Sequence, residues 1–132
     1  MEGLEQNKFM NNDIWFYDRY GAARILFLRA GRFVDRQGNA LGYIHNNQFL
    51  YGFSGRHCGW YENGIIRDLN GQVVAFMDGA NDFPSPILPI RQIPPIPAIS
   101  KIPPIPAIRQ ISRIKPIKKF GWSEVDPVNL FK

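Results

Sequence analysis

Two hydrophobic periods divide the chain. From about residue 13 to residue 83, short apolar runs rich in β-branched and aromatic residues alternate with polar, glycine-containing breaks. That pattern predicts short strands joined by tight turns. The breaks recur: Gly21, Gly38, Gly55 and Gly71 are separated by 17, 17 and 16 residues. Three positions before them stand Asp18, Asp35, Gly52 and Asp68, and five before stand Phe16, Phe33, Leu50 and Ile66. Four positions after stand Ile25, Gly42, Gly59 and Ala75, and five after stand Leu26, Tyr43, Trp60 and Phe76. A fixed period with matching columns predicts one hairpin used four times.

The Asp-x-x-Gly breaks carry turn chemistry. The aspartate accepts backbone N–H groups, and the glycine takes the left-handed conformation of a type I turn with a G1 bulge. Between copies, Ala30-Gly31, Asn46-Asn47 and Asn63-Gly64 suit two-residue turns with positive φ at both positions. The small column Gly42, Gly59, Ala75 marks a close approach of neighbouring backbones. A lone hairpin cannot bury its apolar face, whereas four can close on one another and remove their edges. The expected fold is all-β: four hairpins closed into a pseudo-fourfold barrel or rosette over residues 13–83, after a polar segment at 1–12.

The second period is three. Ile87, Ile90, Ile93, Ile96, Ile99, Ile102, Ile105, Ile108, Ile111, Ile114 and Ile117 are evenly spaced, and Phe120 takes the next place. Polyproline II has three residues per turn, so this spacing puts every isoleucine in one stripe. The prolines exclude an α-helix, and a strand would scatter the stripe over two faces. Residues 84–120 are therefore expected to be an extended docking arm whose isoleucine face lies on apolar protein surface. At ~3.1 Å per residue, 34 residues span about 100 Å, against ~30 Å for the diameter of the body. Such an arm must wrap its own body, reach a second copy, or follow a groove on a larger assembly. In the segment 121–132, Trp122, Leu130 and Phe131 are the expected anchor, with Ser123 and Asp126 forming a short capping box.

The four glycine-centred hairpins, the run Gly55-Arg56-His57-Cys58-Gly59-Trp60-Tyr61-Glu62-Asn63-Gly64, the Pro/Ile/Arg arm and Trp122-Ser123 together resemble the bacterial 4-fold beta flower proteins. The resemblance covers nearly the whole chain. It implies a four-petalled β fold, and it brings no activity and no catalytic residues.

Charge changes the picture once it is located. The +5 overall is a body at −1 (eight basic, nine acidic residues in 1–83), an arm at +7 (seven basic, none acidic in 84–120) and a tail at −1. Ten of the eleven prolines lie in that arm. The basic character thus belongs to the arm, where it reads as the solvated back of an apolar stripe more than as a footprint for phosphate. One cysteine, Cys58, excludes an intramolecular disulfide and a cysteine zinc cluster. With no run of about 18 apolar residues and no apolar stretch at the N-terminus, a membrane-spanning segment and a secretion signal are not expected, and a cytoplasmic product is.

No catalytic constellation emerges. His57 and Cys58 are strand neighbours and point to opposite faces, so they cannot share a proton. Neither they nor His45 suggest a metal site. Asp18, Asp35 and Asp68 could bind a cation only by converging on the axis, and turn chemistry already accounts for them. No cofactor is expected. The sequence reading is a non-enzymatic structural or interaction protein whose partner is its own domain, a second copy or a larger assembly. The first alternative is a module that binds a glycan or small polar ligand on an aromatic rim or axial pocket. The second is a basic-arm binder of nucleic acid or membrane.

Overall fold

The computed structural model describes residues 13–132. The expected polar segment at 1–12 lies outside the described residues. Eight strands follow one another up and down: β1 (Ile14–Tyr17), β2 (Ala23–Leu28), β3 (Arg32–Asp35), β4 (Ala40–His45), β5 (Phe49–Gly52), β6 (His57–Glu62), β7 (Ile65–Arg67) and β8 (Val73–Phe76). Each pairs antiparallel with the next, and β8 returns to β1, closing the barrel. The closing seam is thin, with one register pair, Tyr17 opposite Phe76.

The four hairpins are built alike. Asp18 Oδ1 accepts the amides of Tyr20 and Ala22; Asp35 Oδ1 accepts those of Gln37 and Asn39; Asp68 Oδ1 accepts those of Asn70 and Gln72. The turn glycines all have positive φ, from 83° at Gly21 to 91° at Gly55. A bulge follows each buried member of the column Phe16, Phe33, Leu50, Ile66. The aspartates are thus consumed by their own turns and do not converge on the axis.

The connections between hairpins depart from expectation at one place. Asn46, Asn47, Asn63 and Gly64 have positive φ, but at Ala30-Gly31 only the glycine does. There the Gly31 N–H donates to the Leu28 carbonyl at 2.8 Å, and this glycine alone supplies the left-handed position.

The interior is filled by two columns that face each other across strands. Phe16 pairs with Ile25, Phe33 with Gly42, Leu50 with Gly59 and Ile66 with Ala75. Large thus meets small in the later copies. A side chain at Gly59 would strike the carbonyl of Arg67, and one at Gly42 the carbonyl of Tyr51 and the ring of Phe131. Leu130 and Phe131 join this interior cluster, the latter stacked on Phe33 with ring centroids 5.2 Å apart.

Residues 84–120 contain neither strand nor helix and encircle the barrel. The N–H groups of Gln92, Lys101, Gln110 and Lys119 donate to the carbonyls of Gly21, Gly38, Gly55 and Gly71 at 2.8, 2.9, 2.8 and 3.1 Å. Nine residues of arm therefore serve each hairpin. The girth of a body ~30 Å across is about 95 Å, close to the reach expected of the arm, so one circuit uses it up. No helix among the described residues is long and apolar enough to cross a membrane.

Candidate interaction surface

The glycines that make the turns also admit the arm. A Cβ on Gly21, Gly38, Gly55 or Gly71 would overlap the carbonyl oxygen of Ile90, Ile99, Ile108 or Ile117 respectively. The arm thus grips the barrel by its main chain, at four equivalent points. Its polar side chains add to the grip. Gln110 Oε1 accepts the His57 amide at 3.1 Å, Tyr51 Oη donates to the Gln110 carbonyl at 2.9 Å, and Lys101 Nζ donates to Asn39 Oδ1 at 2.6 Å.

The two ends of the belt meet at Arg67, which is 3% exposed. Its Nε and Nη2 donate to Asp82 Oδ2 at 3.3 and 3.1 Å, and Nη2 also donates to the carbonyl of Pro84, where the belt begins. Its Nη1 donates to the carbonyls of Gly71 and Lys119, both at 2.9 Å, where the belt ends. Lys118 pairs with Asp82 at 2.7 Å and with Glu62 at 3.1 Å. Outside this clasp the rings of Phe83 and Phe120 meet edge to face, 5.5 Å apart. Burial pushes the Asp82 carboxyl up, but hydrogen bonds from Lys118, Asn63 and Arg67 more than offset it, leaving its pKa below the usual value.

The sequence reading missed Arg67, although a signal existed. Four positions before the turn glycine the other copies carry Tyr17, Val34 and Tyr51, so the fourth copy places a lone charge in an apolar column. The missing aspartate of the third copy has a similar explanation. A side chain at Gly52 would strike the Phe131 carbonyl, and Arg56 donates to the carbonyls of Leu130 and Lys132. This hairpin receives the chain's end instead of a carboxylate.

The isoleucines lie on the side away from the barrel. Ile87 through Ile117 are each 86–96% exposed, and Phe83 and Phe120 are 78% and 60% exposed. The expectation that this stripe could bury itself on its own body is therefore corrected: the arm wraps the body, but its main chain is what meets the barrel and the stripe points outward. Cations on the flanks add to the hold. Arg91 pairs with Asp78 at 3.0 Å and Lys115 with Glu62 at 2.5 Å, and Arg109 lies over the Tyr51 ring at 5.9 Å. Part of the arm's charge is thus spent on the body and is not free solvated surface.

The tail is seated at several points. Trp122 bridges in parallel to Val73 at the thin seam and packs on Phe76, with centroids 6.2 Å apart. Ser123 Oγ donates to Asp68 Oδ2 at 2.5 Å, and Asp126, not a Ser123–Asp126 capping box, caps the 3₁₀ turn Pro127–Asn129.

His57 and Cys58 point apart. Cys58 lies in the core, where burial pushes its thiol up. His57 is fully buried beneath the arm: Nε2 donates to the Gly59 carbonyl and Nδ1 accepts the Arg113 amide, both at 3.0 Å, and burial lowers its pKa. That pattern needs the neutral ring. The axial interior is occupied by Phe131 and its neighbours. An open groove of about 400 Å³ lies between the arm and the wall, lined by His45, Phe49, Tyr51, Arg109 and Gln110.

A closed, side-chain-filled barrel of four like hairpins, girdled by its own arm, defines a small β scaffold. The chain belongs to the 4-fold beta flower protein family, whose model matches residues 14–131. No curated protein and no solved structure matches it.

Proposed function

We propose that this chain is a non-enzymatic interaction module in which the barrel is a spool and the isoleucine stripe of the arm, in a polyproline-type conformation, is the working surface. The observation that carries the reading is the pairing of a fixed backbone with an exposed apolar face. Hydrogen bonds at four glycines hold the belt, yet every isoleucine from Ile87 to Ile117 faces solvent. At 1.5–3 kcal/mol per buried isoleucine and 25 cal/mol per Å², the stripe offers about 700–1,300 Å² of apolar surface. Monomeric soluble proteins rarely leave more than a few hundred Å² so exposed unless it binds something.

Geometry supports a glycan or small-ligand site and a nucleic-acid site less. An axial ligand would have to displace Phe131, and the rim groove is open. A phosphate backbone would compete with Glu62, Asp78 and Asp82 for the arm's cations.

The test is a stripe variant, Ile93→Ser, Ile96→Ser and Ile99→Ser together, compared with the parent chain by thermal melting and by binding of an apolar fluorescent probe. The expected result is a melting curve altered by no more than about 0.5 kcal/mol per site, with probe binding clearly reduced. Loss of fold would mean that the stripe is structural, and unchanged probe binding would mean that it is not the apolar surface of the molecule.

A further inference from the structure

The stripe's chemistry narrows what it docks on. Protein interfaces are enriched in Tyr, Trp and Arg and carry about ten direct hydrogen bonds. The stripe itself is isoleucine throughout, with phenylalanine at the clasp, while exposed Arg91, Gln92, Lys101, Arg109, Gln110 and Arg113 flank it. A stripe of side chains without donors or acceptors specifies no partner surface, but it suits a fluid hydrocarbon phase, which needs no complementary shape.

Charge points the same way. Each nine-residue quarter of the belt carries at least one cation, and residues 84–120 carry no acid. The last quarter, 111–119, carries four: Arg113, Lys115, Lys118 and Lys119. Lys115 and Lys118 are held by Glu62 and Asp82, but among the described residues no carboxylate pairs with Arg113 or Lys119, and both are exposed. Packing one belt against another would oppose these unneutralised cations. A layer of anionic headgroups would neutralise them while the adjoining apolar side chains enter the acyl boundary.

We infer that the clasp side of the belt, Ile111, Ile114, Ile117, Phe120 and Phe83 flanked by Arg113 and Lys119, docks on the surface of an anionic lipid bilayer. This rests on the reading of the stripe as the working surface and adds the identity of what it meets. The chain lies on the membrane and does not span it.

The experiment is co-sedimentation of the full chain with vesicles of phosphatidylcholine alone and of equal parts phosphatidylcholine and phosphatidylserine, at low and high salt. Binding is expected to the anionic vesicles only, and to weaken with salt. Arg113→Gln and Lys119→Gln should each reduce it about fivefold, the worth of one surface cation near such a bilayer. Ile114→Ser with Phe83→Ser should abolish it while the circular dichroism spectrum stays that of the parent chain. Absence of binding, or equal binding to both vesicles at all salt concentrations, overturns the lipid assignment. If vesicles fail but the chain forms oligomers that Ile114→Ser with Phe83→Ser dissolves, the lipid assignment falls and the interaction module stands. If neither vesicle binding nor oligomers depend on the stripe, both fall.

Discussion

At the scale of single residues, the turn glycines do two jobs, and the two can be separated. Gly31 and Gly38 both have positive φ, 97° and 84°, so a Cβ strains either backbone. Around Gly31 that Cβ meets open space, whereas at Gly38 it meets the carbonyl of Ile99. Gly31→Ala should therefore cost about 1–2 kcal/mol from left-handed strain alone. Gly38→Ala should cost a further ~1–3 kcal/mol because the belt must lift. Denaturant unfolding of the two variants measures the difference, and equal losses would mean that the belt is not held there. The sequence reading found these glycines through their spacing but assigned them to turn geometry only. The second role was invisible because it depends on carbonyls far along the chain, that of Ile90 for Gly21 and that of Ile117 for Gly71.

At the scale of elements, the belt is fastened by a clasp with one centre. Arg67 joins the last turn, the first belt residue and the last through a buried guanidinium. Removing one partner of a buried ion pair typically costs 3–5 kcal/mol, since the other charge is left stranded. Arg67→Met is expected to lose about that much in chemical denaturation, and to make the arm cleavable by trypsin at Lys101 and Arg109. Arg67→Lys should recover little, because an ammonium cannot reach four acceptors laid out for a planar fork. Retention of full stability in the Met variant would dismiss the clasp. The period of three groups the isoleucines, but a period says nothing about which side faces the body. The main chain sets it: the carbonyls of Ile90, Ile99, Ile108 and Ile117 and the N–H groups two residues on turn to the four glycines, and the stripe is left outward.

At the scale of the whole molecule, protonation works against the fold. Burial lowers the His57 pKa below its ordinary value, with Arg113 and Arg56 adding to this and the Gly59 carbonyl opposing it. A base whose folded pKa is depressed gives up stability as pH falls through its unfolded value, about 6.5, because only the unfolded chain takes up the proton freely. Glu62 and Asp82 are depressed carboxylates, the first chiefly through Lys115. Their stabilisation is present above the unfolded carboxylate range and disappears as pH falls through the folded values. The melting temperature is thus expected to fall in two stages, one starting near pH 6.5 and one below about pH 4.5. His57→Gln should shrink the first stage to the part that His45, also lowered by burial, contributes, and leave the second. A first stage that survives undiminished in that variant would assign it to another group. The barrel itself was legible from its four columns; the titrating contacts were not, since each joins a strand to the distant arm.

The belt meets the barrel by two unequal rulers. Hairpins advance by 17, 17 and 16 residues and the belt by nine, yet the marks coincide four times, at Gly21, Gly38, Gly55 and Gly71. A hairpin duplicated without its matching nine residues would leave a turn ungirdled, and nine residues duplicated alone would leave slack with nothing to hold. The number of petals can then change only by two coordinated insertions at separate places in the sequence, which makes four a number the architecture can lose but cannot easily alter.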